Sequence, residues 1–150
     1  MVKITLKDGS VKEYKKGTTV EEIVASIGSG LLKAALAAKL NGKVVDLRTP
    51  VNEDCSLEVL TFDDDDGKWA LRHTGSHILA QAVKRLYPDA KLAIGPAIDT
   101  GFYYDIDSDE PFSEEDLAAI EKEMEKIVKE DLRLERFELP RSEALDMMGR

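Results

Sequence analysis

The chain opens with the segment Val2-Lys3-Ile4-Thr5-Leu6-Lys7-Asp8-Gly9, which is the strongest local indication of its fold. Apolar and polar residues alternate over residues 2–6, as they do in a strand with one buried face. The pair Asp8-Gly9 tolerates positive φ angles and therefore predicts a tight hairpin. Residues 10–14 are then predicted to form the return strand.

A helix and a second hairpin follow. Thr19 and Glu22 have the spacing of a capping box, and the predicted helix ends at Gly28-Ser29-Gly30, before a short helical turn over residues 31–34. Its predicted buried positions are Val20, Ile23, Val24 and Ile27. Asn41-Gly42 predicts a hairpin between residues 37–40 and 43–45, and residues 57–62 form the last strand. The order β-β-α-β-β-β predicts a ubiquitin-like β-grasp domain over residues 1–62.

Residues 63–68 mark the predicted boundary, because the four aspartates Asp63 to Asp66 repel one another and favour a solvated acidic linker. Consecutive carboxylates on a loop do not converge on a cation without further ligands. The second region, residues 69–150, is predicted to be α+β. We expect a helix over 69–87, a strand over 90–98 broken near Gly95-Pro96, a strand over 100–107, a helix capped by Ser113, a strand over 132–139 and a helix starting at Ser142.

The net charge of −9 is distributed unevenly. Residues 1–62 carry nine Lys/Arg and eight Asp/Glu, whereas residues 63–150 carry twelve and twenty-two. Because nucleic-acid affinity depends on Lys and Arg that neutralise phosphates, the acidic chain is expected to bind little nucleic acid alone. The sequence has one cysteine, Cys55, and no apolar run long enough to span a bilayer, so we expect a cytoplasmic protein without membrane association.

His73 and His77 are the only histidines, and their spacing puts both imidazoles on one side of the predicted helix. A helical wheel places a core stripe of Leu71, Gly75, Ile78, Ala82 and Leu86 opposite the face that carries His73, His77, Ala80 and Lys84. The histidines therefore face solvent, a cleft or another layer of the fold. Three readings remain open: surface residues, two zinc ligands that lack a third, or a pair that positions a water or a substrate hydroxyl.

Two further segments bear on the histidine pair. Gly95-Pro96 within a strand often marks a bulge or a close approach of the backbone. In Gly101-Phe102-Tyr103-Tyr104-Asp105, strand alternation directs Phe102 and Tyr104 to one side and Tyr103 to the other. These aromatic residues either belong to the core or bring one tyrosine hydroxyl to the histidines.

Three segments together resemble the amino-terminal part of bacterial threonyl-tRNA synthetases. They are residues 72–80 (RHTGSHILA), 91–96 (KLAIGP) and 101–107 (GFYYDID), and residues 1–62 resemble the TGS domain of that family. Alanyl-tRNA synthetase editing domains have a similar histidine pair but lack a preceding TGS domain. The resemblance extends over essentially the whole chain in the family's order.

The resemblance implies that residues 69–150 are the first part of an editing domain, which hydrolyses seryl-tRNA(Thr). It assigns the editing pocket to His73, His77 and, from the tyrosine segment, Tyr104, with no cofactor or metal site in this chain. The family attaches threonine to tRNA(Thr) using ATP, magnesium and a zinc in a catalytic domain that this chain lacks, and it is expected to act as a homodimer.

The family's editing domain continues beyond residue 150 and adds a Cys-x-x-x-His segment to the same pocket. We therefore expect a fragment with little or no hydrolytic activity of its own. The alternative is a TGS-type module that binds protein or RNA, with a helical extension that is not catalytic.

Overall fold

In a computed structural model, residues 1–149 are described. The amino-terminal unit contains β1 (Val2–Leu6), β2 (Val11–Tyr14), β3 (Thr18–Thr19), α1 (Val20–Ile27), α2 (Ser29–Ala34), β4 (Ala37–Leu40), β5 (Lys43–Val45), β6 (Pro50–Val51) and β7 (Cys55–Leu60). The second part contains α3 (Asp65–Leu86), β8 (Lys91–Leu92), β9 (Ala97–Ile98), β10 (Gly101–Phe102), β11 (Ile106–Asp107), α4 (Glu114–Glu130) and α5 (Arg141–Met148).

Five strands of the amino-terminal unit form one sheet in the order β2-β1-β7-β4-β5. The pair β1–β7 is parallel and the other pairs are antiparallel. The α1 helix packs Ile23, which is fully buried, against sheet residues that include Ile4 and Leu57. One helix over a mixed sheet is the predicted β-grasp arrangement, and the α+β fold class is confirmed.

The hairpin turns and the helix cap predicted in this unit are confirmed. Gly9 has a φ of +82°, and Asn41 and Gly42 have φ values of +49° and +81°, as tight hairpin turns require. The Thr19 hydroxyl accepts from the Glu22 N–H, and the Glu22 carboxylate accepts from the Thr19 N–H at 2.8 Å. The capping box is therefore complete. The short β3–β6 pair beside it was not predicted.

The acidic segment differs from the prediction, because α3 begins at Asp65 and not at Trp69. Carboxylates in the first turn of a helix interact favourably with the helix dipole, which offsets their mutual repulsion. Asp66 also pairs with Lys39 of β4 at 2.7 Å, and Asp64 accepts from the Thr61 N–H at 2.8 Å. The prediction of a solvated linker over residues 63–68 is therefore wrong for residues 65–68, which are helical.

The predicted core stripe of α3 is also wrong in part. Leu71 is 45% exposed, whereas Ala80, predicted on the histidine face, is buried together with Ser76. The reason is that α3 contacts α4 as well as β9 and β10, so its buried positions do not form one stripe. The second core lies between α3 and α4, where Val83, Ile120 and Ile127 are buried.

The strand predicted over residues 132–139 is absent, and the strand predicted over residues 100–107 is shortened. Residues 132–139 are exposed and have no strand structure, since a single extended segment leaves its backbone groups unpaired. Residues 100–107 form only the short strands β10 and β11. The last helix begins at Arg141, one residue before the predicted start. None of the helices in residues 1–149 is both long and apolar enough to cross a membrane.

Candidate functional site

The two histidines lie one turn apart on α3 and contact each other directly. The Nε2 atoms of His73 and His77 are 3.0 Å apart, and the two rings are perpendicular with centroids 4.6 Å apart. This distance is that of a hydrogen bond, in which one Nε2 carries the proton and the other accepts it. The pair predicted from helical spacing is therefore a hydrogen-bonded unit.

Trp69 extends the pair into a column of three rings. Its indole is stacked on the His73 imidazole, with centroids 4.8 Å apart and an angle of 8° between the planes. Residues 69, 73 and 77 are successive positions at a spacing of four, so all three side chains lie on one side of α3. The sequence prediction did not include Trp69, although the same spacing that identified the histidines could have found it.

His73 is enclosed more than His77 is. Its Nδ1 atom is buried and has no hydrogen-bond partner among residues 1–149. The backbone carbonyl of His73 accepts a hydrogen bond of 2.6 Å from the buried Ser76 hydroxyl, which fixes this turn of the helix. His77 is exposed. The two imidazoles therefore have different surroundings: His73 is partly buried, whereas His77 is exposed to solvent.

The β9–β10 hairpin covers the helix beside the histidines. Phe102 lies against Gly75, where an added Cβ would be 3.1 Å from the phenyl Cε1. Arg72 donates to the backbone carbonyls of Asp99, at 2.5 Å, and Ile98, at 3.5 Å. Because Gly75 has no side chain, the Phe102 ring fits against the helix between the two histidines. The ring therefore occupies the space above Gly75 that a ligand would need.

Tyr104 is placed by a different glycine. A Cβ added to Gly95 would be 2.1 Å from the Tyr104 Cδ2 atom, so the ring lies directly on the backbone there. The close approach predicted for Gly95-Pro96 is confirmed. Within residues 1–149, no hydrogen bond or ring contact joins Tyr104 to His73 or His77. The structure brings the two histidines together, and the role of Tyr104 beside them stays a prediction.

An open cleft of about 650 Å³ lies next to this column of rings. Its lining includes Trp69, Lys68 and Arg72, together with the carboxylates Asp65 and Asp66. Lys68 and Arg72 also lie 5.7 Å and 6.0 Å from the ring of Phe62, at cation–π distances. With Asp99 as a third carboxylate, the cleft is therefore lined by charges of both signs beside the Trp69 indole.

A zinc site at the two histidines would need further ligands, and residues 1–149 supply none beside them. Among residues 1–149, no group of three or more His, Cys, Asp or Glu side chains is arranged to hold a metal ion. Cys55 lies in β7 of the other unit, and burial raises the pKa of its thiol, with Glu53 and Asp54 adding to the effect. Residues 1–149 thus bring together two imidazole nitrogens, whereas a structural zinc site has four ligands.

Comparison with known proteins identifies relatives of both parts of the chain. Residues 2–61 match the model of the TGS domain. The chain is similar to a threonine–tRNA ligase of Clostridium acetobutylicum, with 64% identity over 148 residues, which is 99% of this chain and 23% of the relative. Threonine–tRNA ligases of Acetivibrio thermocellus and Clostridium botulinum strain Loch Maree are 64% and 62% identical over the same shares.

These matches confirm the resemblance predicted from the sequence. The chain spans about a quarter of the length of the relatives, and the match continues through α3 and α4 well beyond the TGS domain.

Proposed function

We infer that residues 2–61, as a TGS domain, and the α+β region that follows them are the amino-terminal part of a threonine–tRNA ligase, and that the second region belongs to its editing domain. The observation that carries this proposal is the 64% identity over 148 residues, a span that extends across α3, where the histidine pair lies. The longer protein would attach threonine to tRNA(Thr) with ATP in parts that the chain does not contain. Its proposed location is the cytoplasm.

An editing site is needed because a binding pocket discriminates poorly between amino acids that differ by one methyl group. Serine lacks one methyl group of threonine, and a methyl group in a binding pocket is worth only about 1–3 kcal/mol of discrimination. That difference leaves a substantial fraction of errors. A second site that hydrolyses the smaller, wrong product can correct them, and we propose that the histidine pair is part of that site.

The proposed reaction is hydrolysis of the ester that joins serine to the terminal ribose of the tRNA. A water oxygen attacks the ester carbonyl carbon, the bond from that carbon to the ribose oxygen breaks, and the ribose oxygen takes up a proton. An imidazole lone pair can accept the proton of the water and return it to the leaving oxygen. In the hydrogen-bonded pair of His73 and His77, this lone pair belongs to the accepting imidazole, and a water that enters between the two rings would donate to it. Trp69, one turn before His73, lines the neighbouring cleft.

The charge of the chain limits what it can do alone. Residues 63–150 carry twelve Lys/Arg and twenty-two Asp/Glu, which disfavours binding of the phosphate backbone. Other parts of the longer protein would therefore hold the tRNA and complete the pocket. We expect the 150-residue chain to hydrolyse seryl-tRNA(Thr) little or not at all, and rapid hydrolysis by the purified chain would refute this part of the proposal.

Substitution in the full-length protein tests the proposed function. His73→Ala and His77→Ala should each abolish hydrolysis of seryl-tRNA(Thr) while the rate of threonylation stays unchanged. Leu71→Ala is the matched control, because Leu71 is an exposed residue of the same helix outside the column of rings. No effect of either histidine variant on hydrolysis would favour the alternative, a TGS-type binding module. Zinc bound stoichiometrically to the chain in elemental analysis would instead favour a metal site.

A further inference from the structure

Resting on the proposed function, we propose that Trp69 is a positioning residue of the editing site. Its indole holds the His73 imidazole in the orientation in which His73 donates its one hydrogen bond to His77. The stacked rings of Trp69 and His73 and the Nε2–Nε2 contact of the two histidines carry this inference.

The orientation of an imidazole is not fixed by its own covalent geometry. The torsion between Cβ and the ring joins an sp³ to an sp² atom and has a broad preference, so the ring plane is set by what packs against it. The indole of Trp69 is parallel to the His73 ring within 8°. Rotation of His73 about this torsion would push the ring edge into the indole and move Nε2 away from His77.

The enclosure of His73 also indicates which nitrogen carries its proton. Its Nδ1 atom is buried without a partner, whereas Nε2 is 3.0 Å from the Nε2 atom of His77. A buried N–H without an acceptor is less tolerable than a buried lone pair without a donor. We therefore assign the proton of neutral His73 to Nε2, which makes His73 the donor and His77 the acceptor. A water that enters between the rings would accept from the His73 Nε2–H and donate to the same His77 lone pair, so the orientation of His73 positions that water.

Core packing does not explain why a tryptophan occupies position 69. The side chain is 55% exposed and belongs to neither hydrophobic core. A large apolar side chain on the surface gains little from the hydrophobic effect, so its contact with His73 is the feature that distinguishes it. A positioning role accounts for an exposed tryptophan at this place in the helix.

The first test observes the histidines directly in the 150-residue chain. Long-range nitrogen–proton NMR spectra of ¹⁵N-labelled histidine report which nitrogen of each ring is protonated. We expect His73 to be protonated at Nε2 with its ring protons shifted upfield by the indole. Trp69→Leu should mix the two tautomers and remove the upfield shift, while Trp69→Phe should keep the tautomer. An unchanged tautomer in Trp69→Leu, or a proton on Nδ1 of His73 in the wild type, would overturn the proposal.

The second test measures hydrolysis of seryl-tRNA(Thr) by the full-length protein. A displaced catalytic group commonly costs about 100-fold in rate, so Trp69→Leu should lower kcat by roughly 10- to 100-fold with KM unchanged. Trp69→Phe should restore kcat to within a few-fold, and Leu71→Ala should have no effect. Unchanged threonylation shows that each variant is folded.

The His73→Ala variant separates the two possible failures. If His73→Ala abolishes hydrolysis and Trp69→Leu has wild-type kcat, the positioning role is wrong and the proposed function stands. If His73→Ala hydrolyses seryl-tRNA(Thr) at the wild-type rate, the proposed function itself is overturned, and the role of Trp69 with it.

Discussion

Substitution of Gly95 by alanine should displace the Tyr104 ring. The added Cβ would be 2.1 Å from Cδ2, 2.3 Å from Cε2 and 2.7 Å from Cγ of the tyrosine. Carbon atoms in contact are ordinarily about 3.5–4.0 Å apart, so the ring must retreat by roughly 1.4 Å or more. The backbone on both sides is held by hydrogen bonds from Asp105 N–H to the Ile94 carbonyl and from Ala93 N–H to the Asp105 carbonyl, at 2.7 Å and 3.0 Å. Overpacking of this kind costs about 1–3 kcal/mol of the free energy of unfolding.

The matched control for Gly95→Ala is Gly101→Ala in β10. A Cβ added to Gly101 would meet no atom within 4 Å, so its effect should stay within about 0.5 kcal/mol. Urea unfolding followed by tryptophan fluorescence reports on this region, because Trp69 in α3 is the only tryptophan of the chain. We expect the urea midpoint of Gly95→Ala to be lower than that of the wild type, and the midpoint of Gly101→Ala to be unchanged. Equal midpoints for the two variants would refute the packing of Tyr104 on Gly95.

Three further substitutions test the two cores and the helix caps. Ile23→Ala removes a fully buried side chain of α1 and should lower the free energy of unfolding by about 2–5 kcal/mol, measured by circular dichroism in urea. Thr19→Ala removes the capping hydroxyl bonded to Glu22 and should cost about 1 kcal/mol in the same assay. The Tyr87 hydroxyl, 2.7 Å from Asp116, and the bonds from Ser113 hold the pKa of the Asp116 carboxyl below its ordinary 3.8. Such a carboxylate stabilises the fold above its unfolded pKa and loses that effect as the pH falls through its folded value. Without the Tyr87 hydroxyl, the pKa of Asp116 in the folded state is lowered less. The free energy of unfolding of Tyr87→Phe should therefore fall less than that of the wild type when the pH is lowered from 7 to below the folded-state pKa of Asp116. An equal fall in the two proteins would contradict this reasoning.

The sequence predicted best the features that neighbouring residues determine. The hairpin at Asn41-Gly42 and the capping box at Thr19 depend on a few adjacent residues, and both are present. The start of α3 was placed four residues too late, and the pair that Asp66 makes there with Lys39, a residue distant in sequence, was not predicted. Residues 132–139 have the alternation of a strand, but alternation alone does not supply a partner strand.

The candidate site shows the same division between local and distant contacts. Contact between His73 and His77 follows from their spacing on one helix, and the structure adds the distance and the perpendicular rings. The stack of Trp69 on His73 has the same spacing and could have been predicted. The contact of Phe102 with Gly75 could not have been predicted, because it depends on how the β9–β10 hairpin packs on α3.

The central claim is that His73 and His77 act as one unit in ester hydrolysis. Rates of seryl-tRNA(Thr) hydrolysis by the full-length protein should be measured for His73→Ala, His77→Ala and the double variant, with threonylation as the control. Residues that act as a unit have effects that are far from additive. We predict that the double variant hydrolyses seryl-tRNA(Thr) no more slowly than the slower single variant. Losses that multiply in the double variant, or wild-type hydrolysis in either single variant, would contradict the account.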